Sequence, residues 1–193
     1  GMDSHIFISA VTTLFVIIDP IGMALIFHSL AGGERQSSRI RIALKACLIS
    51  ALILILFGNY GESLLEQLGI SIQALRVSGG LLLFYTAFNM VTSELKFLKP
   101  KNVEDISVFP ISIPLLAGPG SLTASILLFS SAGTASAQLS TFFAVIFICG
   151  LTFLSMSFSN IVKTLVGKTG DEILRRFLGV LLAALAIQFI LDG

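Results

Sequence analysis

Asp19 is the one carboxylate, among eleven acidic residues, that lies deep inside an apolar run. The tetrapeptide that carries it, Asp19-Pro20-Ile21-Gly22, has a counterpart 99 residues later in Gly118-Pro119-Gly120-Ser121. Proline removes a backbone donor and clashes with the preceding turn, and the neighbouring glycines lower helical preference, so a helix is expected to break at each motif. Asp19 and Gly118 then read as N-caps, with Pro20 and Pro119 opening new half-helices. N–H groups near Gly22 and Ser121, at two positive dipole ends, suit an anion such as a carboxylate. Asp19 and the carbonyls that close the preceding halves, around residues 15–18 and 114–117, suit an ammonium or a proton. Together they fit a zwitterion. A plain proline kink is the simpler reading of either motif alone. The carboxylate favours function, because an isolated charge about 21 Å of helix from His5 is costly in hydrocarbon. Gly22, Ala24, Ala117, Gly118, Gly120 and Ala124 leave room for a small ligand, and residues of that size equally serve helix packing.

Ser78, Tyr85 and Asn89 recur with Leu82 at helical spacing and form a polar stripe that supplies further candidate substrate contacts. Phe177, Leu181, Ala184 and Gln188 stand at the equivalent places 99 residues on, so a site built from both would be asymmetric. Taken singly, Ser78, Tyr85, Asn89 and Gln188 are also what ordinary interhelical hydrogen bonding requires. His28, near the end of the first apolar run, reads as packing or solvation before proton relay. Cys47 and Cys149, each alone in an apolar run, read as buried structural thiols.

These residues need apolar elements to hold them. Hydrophobic residues make up 55% of the 193, charged residues only 12%, and mean hydropathy is +0.97. There is too little polar surface to cover a water-soluble globule. Apolar segments at about 6–30, 41–60, 70–92, 107–131, 139–161 and 173–191 are each long enough to cross a bilayer, and none shows the alternation of a membrane barrel strand. The expected fold is all-α: six transmembrane helices in one membrane domain spanning residues 1–193, with helices one and four broken. The 99-residue offset aligns Pro20 with Pro119, Leu75-Arg76 with Leu174-Arg175, Gly80 with Gly179 and Ala87 with Ala186. Duplication explains that register, with repeats at about 5–95 and 104–193. Three spans per repeat force the second copy to enter upside down.

Eleven of twelve basic residues fall in alternate connections: Arg35, Arg39, Arg41 and Lys45; Lys96, Lys99 and Lys101; then Lys163, Lys168, Arg175 and Arg176. The positive-inside rule makes that side cytoplasmic and places both termini outside a bacterial cytoplasmic (inner) membrane. Arg76, at the outer end of span three, is the exception, free to snorkel or pair with Glu62 or Glu66. Asp3-Ser4-His5 leads into the first span without the positive n-region of a cleaved signal peptide, so that span is expected to be retained. The bilayer is the expected surrounding and a small molecule the expected substrate. A net charge of +1 gives no reason for a nucleic-acid partner. No cofactor or metal is expected, and the oligomeric state is left open.

The strings Ile18-Asp19-Pro20-Ile21-Gly22, Gly69-Ile70-Ser71 with Leu75-Arg76-Val77-Ser78-Gly79-Gly80, Ile113-Pro114-Leu115-Leu116-Ala117-Gly118-Pro119-Gly120 and Phe189-Ile190-Leu191-Asp192-Gly193 resemble the MarC family across essentially the whole chain. That family's architecture of six spans in two repeats coincides with the offset read above. The resemblance implies a carrier of small neutral amino acids such as glycine and alanine, coupled to protons. Met23-Ala24-Leu25 follow Gly22 here, where a common form of the motif continues with Asn and shortly afterwards Pro.

Other classes fit less well. Gly118-Pro119-Gly120-Ser121 with His28 imitates an intramembrane serine protease, but the repeat already explains the motif, and His28 is expected near the cytoplasmic interface. An aspartyl protease needs two facing carboxylates, and Asp19 has no second deep acid. No Walker motif supports ATP coupling. An enzyme is therefore not expected. The alternative is a channel, or an accessory membrane protein without transport.

Overall fold

The computed structural model describes residues 3–92 and 105–193, and the described residues form helices and no strand. Lys96, Lys99 and Lys101, with the third connection from residue 93 to 104, lie outside them. Helix α1 (Ser4–Ile18) is capped by Asp3, whose carboxylate accepts the N–H groups of His5 and Ile6 at 3.1 and 3.3 Å. Helix α2 (Pro20–Ala31) follows after one residue. Helix α3 (Gln36–Gln67) ends at Gly69, held at φ 73°, where the Ile70 N–H returns to the Leu65 carbonyl at 2.8 Å. That closure needs a left-handed residue, which glycine supplies without a Cβ penalty. Helix α4 spans Ile72–Thr92.

The fourth apolar run is less regular than expected. Ser107–Leu116 is a π-helical segment interrupted by extended backbone at Phe109 (φ −133°, ψ 129°) and Ile113 (φ −126°, ψ 120°). Each of these residues precedes a proline, Pro110 or Pro114, and a residue before proline is driven out of the α region. Helix α5 (Pro119–Ser131) completes the run. Helix α6 (Ala135–Ser157) starts from Thr134, whose hydroxyl accepts the Ala137 N–H at 3.1 Å. Helix α7 (Ser159–Asp192) runs through residues 162–171, expected from sequence to be a connection, and is interrupted there at Gly167, at φ 66°. Among the described residues, five stretches are long and apolar enough to cross a membrane: Ser4–Ala31, α3, α4, α6 and α7. The 107–131 run, made of the π-helical segment and α5, does not count among them.

Large apolar side chains are widely exposed on the helices, as they are not in a water-soluble protein. On α3 the small residues Ala43, Ala46, Ser50 and Gly58 are buried, while Leu44, Leu48, Leu52 and Leu56 form an exposed stripe at every fourth position. Large apolar side chains facing outward with small ones inside suit lipid surroundings, where close backbone approach replaces the hydrophobic effect between helices. The most extensive helix pair is α4 with α7. A Cβ on Gly80 of α4 would lie 2.6 Å from the Ala186 carbonyl of α7, and one on Gly179 of α7 would lie 3.2 Å from the Ala87 carbonyl of α4. These two contacts interchange when each residue is replaced by the one at the 99-residue offset. Helices α1, α2, α3, α5, α6 and the π-helical segment share a second core around Leu14, Phe27, Leu54, Ile111 and Ile148.

Four contacts record which helix ends lie together. The Asp3 N–H donates to the Ser140 hydroxyl at 2.7 Å, joining the starts of α1 and α6. Gln36 donates to the Ser157 carbonyl at 3.0 Å, joining the start of α3 to the end of α6. Lys45 pairs with Asp105 at the entrance to the π-helical segment, and this bond, helped by Ser107, holds the Asp105 carboxyl below the usual range. A Cβ on Gly193 would lie 2.7 Å from the Gln73 carbonyl, which sets the end of α7 beside the start of α4.

Candidate functional site

The first break is one residue wide. Asp19 adopts φ 55°, ψ 78° and is the one residue other than glycine at positive φ among those described. Aspartate tolerates this conformation because its short polar side chain bonds locally. Its N–H ends α1 on the Phe15 carbonyl at 2.8 Å, and its own carbonyl accepts the Met23 N–H at 2.9 Å to begin α2. Its carboxylate accepts the Gly22 N–H at 3.0 Å. A Cβ on Gly22 would collide with that carboxylate, so glycine is what lets it fold back over the helix start.

The second break performs the same closure with the roles exchanged. Gly118 is extended and has no side chain to cap with, so the cap comes from three residues on: its N–H donates to Ser121 Oγ at 3.0 Å. The Ser121 hydroxyl donates in turn to the Leu116 carbonyl at 2.6 Å. Each break thus holds one half of a capping box, a cap side chain on the third helical N–H in the first and the third side chain on the cap N–H in the second. The first-turn N–H groups of Ile21, Gly120 and Ser121 precede the first intrahelical bonds, from Met23 to Asp19 and from Leu122 to Gly118.

Both breaks open onto one cavity of about 460 Å³. It is lined by Asp19, Gly22, Gly118, Pro119, Gly120 and Ser121, by Leu83, Thr86, Asn89 and Met90 of α4, and by Asp171, Leu174, Arg175 and Leu182 of α7. The breaks are neighbours, since a Cβ on Gly120 would lie 3.3 Å from Ile17 Cγ2. A volume of this order suits a small organic ligand. Among the described residues its charged lining groups are two carboxylates, Asp19 and Asp171, and one guanidinium, Arg175.

Seven of the ten sequence candidates therefore line this cavity: Asp19, Gly22, Asn89, Gly118, Pro119, Gly120 and Ser121. Pro20 is buried beside it. Ser78 and Tyr85 do not line it: both are exposed, Tyr85 at 69%, and Ser78 bonds its own helix at Leu75. The buried face of α4 is set by Gly80, Leu83, Ala87 and Met90, which pack on α7, and by Gly79, which faces Thr123 of α5, and this turns the Ser78 and Tyr85 edge outward. Gln188 bonds Asp192 at 2.8 Å on an exposed surface. Thr86, Asp171 and Arg175 were not among the candidates. For Arg175 the signal was present in its 99-residue pairing with Arg76. His28 is not part of the lining, and the Ser121 hydroxyl is committed to Leu116, so the protease constellation does not assemble.

Residues 4–193 match the family described as MarC family integral membrane protein. A UPF0056 membrane protein of Archaeoglobus fulgidus is 34% identical over 97% of this chain and 91% of its own length. UPF0056 membrane protein MJ1677 of Methanocaldococcus jannaschii is 31% identical over 100% of the chain and 97% of its own length. UPF0056 membrane protein YvbG of Bacillus subtilis is 32% identical over 98% and 92% respectively. No solved structure matches the chain.

Proposed function

The chain belongs to the MarC family of integral membrane proteins, and from that premise we propose that it is a secondary transporter of small neutral amino acids such as glycine or alanine, working by alternating access, and not an enzyme. The observation that carries this reading is that two helix breaks, one holding a carboxylate, open side by side onto a single cavity. Backbone N–H groups of Ile21, Gly120 and Ser121 receive the substrate carboxylate, and Asp19 receives its ammonium. The helix dipoles at the two breaks favour the anionic end of the ligand. In this reading Asp19 acts as the fixed anion of the site.

In this proposal the chain crosses the membrane six times as two inverted repeats, the fourth crossing being the π-helical segment with α5. The end contacts support it. Asp3 with Ser140 pairs the starts of α1 and α6, Gly193 beside Gln73 pairs the end of α7 with the start of α4, and Gln36 with Ser157 and Lys45 with Asp105 gather the start of α3, the end of α6 and the start of the π-helical segment, as six alternating crossings require. The exchanged glycine contacts of α4 and α7 support the duplication.

Orientation is testable on its own. Reporter fusions in the Leu68–Ser71 connection, between Ala132 and Thr134, and after Gly193 are expected to be active only with a periplasm-dependent reporter. Cytoplasmic activity at all three would reverse the proposed orientation.

For transport itself, purified protein in liposomes is expected to take up glycine and alanine saturably, and comparing uptake with and without a pH gradient identifies the coupling. Flux that rises without saturation would make the protein a channel, and no flux for any small neutral amino acid would make it an accessory protein.

A further inference from the structure

Arg175 lies one turn after Asp171 on α7 and lines the same cavity as Asp19. Its Nε is buried and has no hydrogen-bond partner among the described residues, and no ion pair joins it to Asp171. A buried guanidinium nitrogen left without an acceptor is costly, so the fold retains this group at some expense. Leu182, seven residues or roughly 10 Å further along α7, lines the same cavity, so α7 faces it over about two turns.

We propose that Arg175 is a further substrate-binding residue, the guanidinium that receives the carboxylate of the incoming amino acid, and that Arg76 serves the same purpose on the opposite face. This rests on the carrier reading and adds the basis of its specificity. A carboxylate supplies the acceptor that Arg175 lacks, in the planar geometry a guanidinium matches. The two lining carboxylates disfavour a purely anionic ligand, and Arg175 disfavours a purely cationic one. A zwitterion satisfies both.

Arg76 enters through a second pocket, of about 170 Å³, which it lines with Thr13, Ala124, Leu128, Phe189 and Asp192 among others. Arg76, Ala124, Leu128 and Phe189 stand 99 positions from Arg175, Leu25, Ser29 and Met90 of the larger cavity. Half of the small pocket's lining thus maps onto the large cavity in the other repeat, and in this proposal the small pocket is that cavity's contracted counterpart. Exchanging the two repeat conformations would widen the Arg76 side and close the Arg175 side, each arginine meeting substrate on its own face.

The test is alanine uptake by purified protein in liposomes, measured from each face separately, for wild type, Arg175→Gln, Arg175→Lys and Arg76→Gln. Arg175→Gln is expected to raise the half-saturation constant about tenfold or more from the Arg175 face, with a smaller change in maximal rate, as loss of a charge-assisted bond predicts. Arg76→Gln is expected to do so from the other face. Arg175→Lys should recover part of the affinity. Ethylamine, which is alanine without its carboxylate, should compete poorly with wild type and no worse with Arg175→Gln. If the Gln variant does not fold, Arg175→Lys decides, since a point charge without the fork should still raise the constant several-fold. A wild-type constant in whichever variant folds, or equal shifts on both faces from one arginine, overturns the proposal. Wild-type uptake with an unmoved constant fails this inference alone, whereas absence of wild-type uptake fails the carrier reading and this inference with it.

Discussion

Asp19→Asn is expected to leave a folded protein whose amino-acid uptake falls by more than tenfold. Asparagine tolerates the left-handed backbone that Asp19 adopts at φ 55°, and its side-chain oxygen can still accept the Gly22 N–H. The structural cost should therefore stay within about 1 kcal/mol. What the variant lacks is the charge that faces the cavity. A hydrogen bond to a charged group contributes about 1.5–3 kcal/mol, which is roughly a ten- to hundredfold effect on substrate handling. Asp19→Ala separates the two roles further, because it removes the cap as well and places a Cβ residue with no local bond at positive φ, for a combined loss of about 2–3 kcal/mol of stability. Thermal unfolding in detergent, read beside uptake, distinguishes them. If a pH gradient drives wild-type uptake and Asp19→Asn keeps exchange but loses that drive, Asp19 is the coupling group. If both activities disappear from a folded protein, it is a substrate ligand. Wild-type rates, affinity and pH dependence in the Asn variant would reduce Asp19 to a helix cap.

Gly80→Val and Gly179→Val should each cost about 1–3 kcal/mol or more of stability, since forced overpacking falls in that range even where side chains can adjust. Here the obstacle includes backbone. The Cβ of residue 80 would meet the Ala186 carbonyl at 2.6 Å and the Ile190 nitrogen at 3.2 Å, and the Cβ of residue 179 would meet Met90 Cβ at 2.9 Å. Helices α4 and α7 would have to separate, and Leu83, Met90 and Leu182, which line the cavity from those helices, would move with them. Lower unfolding temperatures in both variants, with uptake reduced in step, are the expected outcome. Gly133→Val is the control, since a Cβ there meets nothing within 4 Å. Equal stability in all three variants would remove the close α4–α7 approach from the description of the fold.

The helix breaks were legible because proline acts through the chain's own backbone: Pro20 and Pro119, with Asp19 and Gly118 before them, announce a stop and a cap without reference to neighbours. Pro110 and Pro114 carry an equally local signal for the extended backbone at Phe109 and Ile113, masked by the unbroken hydropathy of 107–131. The face that α4 turns inward was not legible from polarity. In lipid the outward face is as apolar as the inward one, so the polar stripe of Ser78 and Tyr85 pointed the wrong way, while Gly79, Gly80 and Ala87 marked the packed side by their size. Asp171 and Arg175 were hidden for a related reason. Charged residues near a helix end suggest a solvated connection, and only the continuation of α7 through that stretch brings them to the cavity.

Counterflow tests the central claim most directly. Liposomes containing the purified protein are loaded with unlabelled alanine, diluted into labelled alanine at trace concentration, and followed over time without any ion gradient. A carrier that exposes one site alternately to each face must show a transient accumulation of label above its equilibrium level, and Asp19→Asn should reduce it. Label that only rises to equilibrium, at a rate indifferent to the internal alanine, would contradict alternating access around the cavity between the two helix breaks.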